Sequence, residues 1–192
     1  MRPFNRLKAC LARFRDDCSG SFTVEAVPLV PLLFMVMGGG YEYYEVHRYT
    51  AVREKATYTV ADMISRETSN EGVTATYMDN ALQLVNMITN DEGVDQLRVS
   101  VVKYDSDDDD FSISWSEVRG TGSWNALTDT DVQYAHDRLP IMDDGQEVIV
   151  VETRSTYDPV FAAGLGSPTD ITTRHFTAIR FAPQVCFEGE CG

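Results

Sequence analysis

The chain has 192 residues, of which 43% are hydrophobic and 24% charged, a globular balance that excludes general disorder. Sixteen Lys and Arg face thirty Asp and Glu, for a net charge of −14. A body this acidic excludes nucleic acid as a partner, because phosphate contacts need Lys and Arg.

The charge is unevenly spread. Residues 1–20 carry Arg2, Arg6, Lys8, Arg13 and Arg15 against Asp16 and Asp17, a net of +3, which leaves −17 for the remainder. An apolar run follows from Ser21 to Tyr41, with Glu25 its only charge. At about 1.5 Å per helical residue it covers roughly 31 Å, one hydrocarbon thickness. A short basic head before such a run reads as a membrane-inserted segment, with residues 1–20 cytoplasmic and the acidic body outside. The next stretch, YEYYEVHRYTAVREKATYTVADMISRET, places Val46, Tyr49, Val52, Ala56, Val60 and Met63 at spacings of three and four, a helical stripe, with Arg53 among the charges on its polar side. The pattern predicts one helix over 21–68, its first part in lipid and its second on a soluble domain. Pro28, Pro31 and Gly38–Gly40 loosen it. Tyr41, Tyr43, Tyr44, His47 and Tyr49 cluster just past the apolar run, where rings suit either the membrane boundary or packing on the domain.

SNEG at 69–72 is a turn, and residues 74–90 form a second helix with Tyr77, Ala81, Leu84, Val85 and Ile88 on one face, closed by NDEG at 90–93. The period then changes. LRVSVVKY at 97–104 and FSISWSEV at 111–118 alternate as half-buried strands around a DSDDDD hairpin tip at 105–110. A short helix capped near Thr128 or Asp129 lies within 124–139. EVIVVETRSTY at 147–157 is apolar enough for a central strand, and ITTRHFTAIRFAP at 171–183 is the last strand, after the loop DPVFAAGLGSP. The expectation is an α+β fold: a long N-terminal transmembrane and amphipathic helix, a second helix, and an antiparallel sheet of about four strands packed on the helices. The expected domains are a leader at 1–20, an anchor helix at 21–68 and an extracytoplasmic domain at 74–192. Trp115 and Trp124 belong to the core or its rim.

Cys10 and Cys18 fall in the head, where the cytoplasm keeps thiols reduced. Cys186 and Cys191 flank FEGE near the C-terminus, where an oxidising compartment closes them into a short disulfide loop. No further Cys or His pair has zinc spacing. DSDDDD fails the EF-hand pattern, since Asp110 stands where Gly is required and Ser116 where Glu is, so it reads as a solvated tip and not a metal site. His47, His136 and His175 have no nucleophile beside them in a recognisable motif. GLGSP at 164–168 is not G-x-S-x-G, and GTG at 120–122 lacks the spacing of a phosphate loop. No enzymatic activity, cofactor or metal is expected.

Processing gives the sharper signal. A secretory signal is cut after its apolar core, and Gly38–Gly40 could serve, but Glu25 and two prolines fit such a core poorly. The small residue Gly20 instead lies before the run. Cutting there leaves the run attached, makes Glu25 the fifth residue and gives Ser21 a new α-amino group. Gly20, the four residues to Glu25, the basic leader and the apolar helix resemble a type IV prepilin. GSFTVEAVPLVPLL followed by a Tyr-rich amphipathic helix looks like the TadE/TadF group, minor pilins or pseudopilins of the tight-adherence (Flp) pilus system. The resemblance covers about residues 15–68. The family usually carries Phe or Tyr after the glutamate, where this chain has Ala26.

The resemblance implies a pilin-like, single-pass protein of the bacterial inner membrane, with its soluble domain extracytoplasmic and incorporation into the fibre as the further step. It implies cleavage between Gly20 and Ser21 by a prepilin peptidase. It also implies contact with other pilus subunits and the inner-membrane assembly platform, and a role in surface attachment and biofilm formation. Glu25 would pair with the Ser21 amine of a neighbouring subunit, which offsets the cost of an intramembrane charge. The alternatives are a secreted periplasmic binding module released after Gly40, and an anchored hydrolase of unknown substrate.

Overall fold

A computed structural model describes residues 12–16, 21–68, 72–90, 95–161 and 167–191. The fold is α+β. Helix α1 spans Ser21–Ser65, α2 Ala75–Thr89 and α3 Asp129–Val132; the strands are β1 Gln96–Asp105, β2 Asp110–Gly120, β3 Glu147–Tyr157 and β4 Thr169–Ala178. The chain divides into two compact units, residues 1–44 and 45–192. The second unit begins at Glu45 and includes the second half of α1.

In the second unit the sheet is antiparallel throughout, in the order β2-β1-β3-β4. β1 and β3 occupy the centre, and their near-continuous burial follows from cover on both faces. One face sends Leu97, Val99, Val101, Trp115, Ile149 and Val151 against Ala56, Val60, Ala61 and Ile64 of α1 and Met78, Ala81 and Val85 of α2. The other sends Val102, Phe111, Val148 and Val150 against Val132 and Met142 of the segment between β2 and β3. A bulge opposite Val101 and Val102 leaves Ser114 without a register partner, so Trp115 and Ile113, two residues apart on β2, pack on opposite faces of the sheet.

Most predicted elements stand where their periodicity puts them, but several details are corrected. α1 ends at Ser65, three residues early. Its buried stripe is rotated from the expected one: Arg53, Ala56, Thr57, Val60, Ala61, Ile64 and Ser65 are buried, whereas Met63 is 40% exposed. α2 likewise buries Met78, Ala81, Val85 and Thr89, with Tyr77 and Ile88 at the margin. Its ends match their chemistry: the Thr74 hydroxyl accepts from the Tyr77 N–H at 3.1 Å, and Asn90 closes it in the left-handed region at φ 44°. α3 is a single turn after Thr128, whose N–H and hydroxyl both donate to Asp131. β4 starts at Thr169 and stops at Ala178, because the Arg180 N–H leaves the sheet to bond the Ser65 carbonyl at 3.1 Å. The turn residues 69–71 and 91–93 and the loop segment 162–166 lie outside the described residues.

Polar groups on the α1 face are buried in a linked set. The Thr57 hydroxyl bonds Thr173 at 2.7 Å, Thr173 bonds Thr153 at 2.7 Å, and Thr57 donates to the Arg53 carbonyl at 2.8 Å. This fixes the rotation of α1 on β3 and β4 where side-chain shape alone would tolerate a slip. Thr57→Val, which keeps the shape and removes the hydroxyl, is expected to cost about 1 kcal/mol. A urea midpoint unchanged at constant slope would show that the set contributes nothing.

The C-terminus is clasped onto this core. The Trp115 indole N–H donates to the Val185 carbonyl at 2.6 Å, and Phe187 stacks on Trp115 with centroids 5.5 Å apart. Val73 N–H bonds the Cys186 carbonyl at 2.8 Å, and Glu188 N–H returns to the Val73 carbonyl at 2.9 Å. Cys186 and Cys191 are disulfide-bonded. Gly72, at φ +66°, passes so near that a Cβ there would lie 2.1 Å from the Cys186 carbonyl oxygen, so only glycine fits.

Candidate assembly site

In the first unit, α1 carries Glu25 in its second turn. Glu25 is exposed, and with Ala26, Leu29, Leu32, Leu33 and Val36 it lines one apolar concavity. Spacings of four, three and four from Glu25 through Leu29 and Leu32 to Val36 put the carboxylate at one end of a single helix face. Around it Val24, Val27, Val30, Phe34, Met35 and Met37 are also exposed. The most apolar stretch of this helix has a mean hydropathy of 1.5, and none of it is buried within the protein. The helix is thus long and apolar enough to cross a membrane. An apolar belt of this extent needs lipid or another chain around it.

Of the residues singled out for processing, Ser21 is the first of α1, and Gly20 lies outside the described residues, as do Cys10 and Cys18. Gly38, Gly39 and Gly40 are helical, and added Cβ atoms there would meet nothing within 4 Å. Pro28 and Pro31 also lie within the helix.

The tyrosine cluster divides. Tyr41, Tyr43 and Tyr44 are exposed in the first unit, whereas Tyr49 belongs to the second. Its hydroxyl donates to the Thr156 carbonyl at 3.0 Å, its ring meets Tyr157 edge-on, and the Arg53 guanidinium lies 3.1 Å from its centroid. Arg53 itself is buried and donates to the Ser155 hydroxyl at 2.9 Å. The sequence pattern places Arg53 on the polar side because charge alone gives no sign of a stacked, hydrogen-bonded arginine.

The acidic tip is used for turn making. Asp105 accepts from the Asp107 N–H, Asp109 from the Tyr104 hydroxyl, and Asp144 from the Ser106 N–H, which holds the Asp144 carboxyl below its ordinary range. Among the described residues, no group of three or more His, Cys, Asp or Glu converges as a metal site. His136 lies by the Asp109 carbonyl and the Phe111 ring. His175 sits edge-on to Tyr58, and burial pushes its pKa down.

One charged constellation has no counterpart in the sequence reading. Arg98, Glu152 and Arg174 stand side by side in register across β1, β3 and β4 on the face away from α1. Glu152 is 1% exposed. One of its oxygens accepts from Arg98 at 2.6 and 2.8 Å, and the other from Arg174 at 2.6 and 2.7 Å. Arg98 also stacks on Trp124, 4.5 Å from the ring centroid, which places that tryptophan at the rim while Trp115 is in the core. In the sequence these three are only some of the charges along three separate strands; the strand register unites them.

Comparison with protein-family models, curated proteins and solved structures finds no match to this chain.

Proposed function

We propose that the protein is a membrane-anchored minor pilin or pseudopilin that takes part in assembly of a tight-adherence (Flp) pilus, and through it in surface attachment and biofilm formation. The observation that carries this reading is helix α1: one element contains both the exposed apolar belt with Glu25 and the stripe from Ala56 to Ile64 that enters the domain core. A chain built this way keeps its anchor when it is cut before the helix. Release after Gly40 would instead require residues 38–40, helical here, to open in a peptidase cleft.

In this reading a prepilin peptidase cuts between Gly20 and Ser21 at the bacterial inner membrane. The domain lies outside the cytoplasm, where the Cys186–Cys191 disulfide is stable. Glu25 meets the Ser21 amine of the next subunit, and the exposed apolar face packs on neighbouring helices. The pair sets the axial register, because any other alignment leaves a carboxylate in hydrocarbon.

Glu25→Leu tests the role of the carboxylate. The variant should reach the membrane at normal abundance, since an apolar residue there inserts more readily. Its recovery in sheared pili, or its crosslinking to other subunits, should fall at least about tenfold, given a mispaired charge worth more than about 1.4 kcal/mol. Undiminished recovery would remove Glu25 from assembly.

A further inference from the structure

The Arg98–Glu152–Arg174 row forms the floor of a cavity of about 190 Å³ between the sheet and the segment that joins β2 to β3. Its walls are apolar, with Leu127, Val132, Val150 and Phe176 among them, and Arg138 and Asp131 complete the lining. Three arginines against two carboxylates leave the cavity one positive charge, in a body that is otherwise strongly acidic. Asp131 is already engaged as acceptor for the Thr128 N–H and hydroxyl.

Glu152 needs one arginine to balance its charge and has two. The Arg98 fork is filled, its Nη1 donating to the Asn125 carbonyl at 3.3 Å. Arg174 gives Nε and Nη2 to Glu152, and among the described residues its Nη1 has no partner; its side chain is 39% exposed. Among the described residues, the Arg138 guanidinium reaches only Asp137, at 3.8 Å. Arg174 thus offers a partly exposed guanidinium edge beside apolar walls. It suits an anion that carries its own apolar body.

We propose that this cavity binds a small monocarboxylate with a short aliphatic or aromatic body. The carboxylate takes the free edge of Arg174 and the Arg138 guanidinium, and the tail lies against Val132, Val150 and Phe176. A space of about 190 Å³ limits the ligand to a small acid, for which hexanoate is a suitable probe. The site belongs to the domain and stands independently of the assembly role of α1.

The test is a titration of the full chain in nanodiscs, read by NMR at the Arg174 Nε–H and at the Leu127, Val132 and Phe176 amides. Three probes are compared: hexanoate, hexanamide and inorganic phosphate. Hexanoate is expected to saturate these shifts with a Kd on the order of 1 mM. Hexanamide lacks the charge and phosphate lacks the tail, so both should bind at least about tenfold more weakly. Arg138→Ala, at a mostly exposed side chain outside the Glu152 pairing, should raise the hexanoate Kd about threefold. Arg174→Lys, which keeps the charge but loses the fork, should raise it about tenfold. Absence of saturable shifts with hexanoate, or equal binding of hexanamide or phosphate, overturns the proposal. So does a Kd that Arg138→Ala leaves unchanged.

Discussion

Glu152→Ala is expected to lower the unfolding free energy by about 3 kcal/mol or more, the largest loss from any single charged residue of the domain. Among the described residues, the carboxylate is the only acceptor common to Arg98 and Arg174, and it is 1% exposed between them. Its removal leaves two guanidinium groups facing each other across β3, from β1 and β4, with the attraction gone and the repulsion kept. Arg174 can turn partly to solvent, which limits the cost, whereas Arg98 is held by Trp124 and the Asn125 carbonyl. The triple replacement Arg98→Met, Glu152→Met and Arg174→Met removes all three charges together and is expected to cost far less, within about 1 kcal/mol of the parent. Urea unfolding followed by tryptophan fluorescence distinguishes the two. A Glu152→Ala loss below about 1 kcal/mol would mean that water already screens the row.

Removal of the Cys186–Cys191 crosslink is expected to destabilise the domain by about 2 kcal/mol, from the chain entropy of a loop this short. For a unit of this size that corresponds to a fall in Tm of roughly 4–8 °C. The loop is small, but it holds the strand-like pairing of Val73 with Phe187, the cap that the Glu188 carboxylate places on the Ala75 N–H at 3.3 Å, and the Trp115 bond to Val185. Loss of the crosslink should therefore loosen the N-terminus of α2 and the cover over Trp115 together. The double variant Cys186→Ser, Cys191→Ser and the reduced parent should show the same fall and the same change in Trp115 emission. An unchanged Tm on reduction would assign the closure to the hydrogen bonds alone.

The legible parts of this fold were those written in period. The alternation of LRVSVVKY and FSISWSEV marks a hairpin, and the run EVIVV marks a strand covered on both faces; β3 indeed lies between β1 and β4. The spacing of two cysteines around FEGE was enough for the disulfide, because a short loop leaves few alternatives. Rotation about α1 was less legible. Val46, Val52 and Met63 suggest one stripe by hydropathy, but the buried face includes Arg53 and Thr57, whose partners Ser155, Thr153 and Thr173 lie about a hundred residues away. The Arg98–Glu152–Arg174 row was invisible for the same reason: it depends on the registers of two strand pairs. At the candidate assembly site, Glu25 and its apolar surroundings are local features and could be read directly. The amine partner belongs to another chain in that account.

The most direct test of the pilin account is the mature N-terminus of the protein recovered from membranes of cells that express the cognate prepilin peptidase. The account predicts a chain that starts at Ser21, stays in the membrane fraction and carries Glu25 as its fifth residue. A chain that starts at Tyr41 in the soluble periplasmic fraction would contradict it and leave a secreted binding domain. An intact Met1 would contradict the processed-pilin mechanism, because no Ser21 amine would exist for Glu25 to meet.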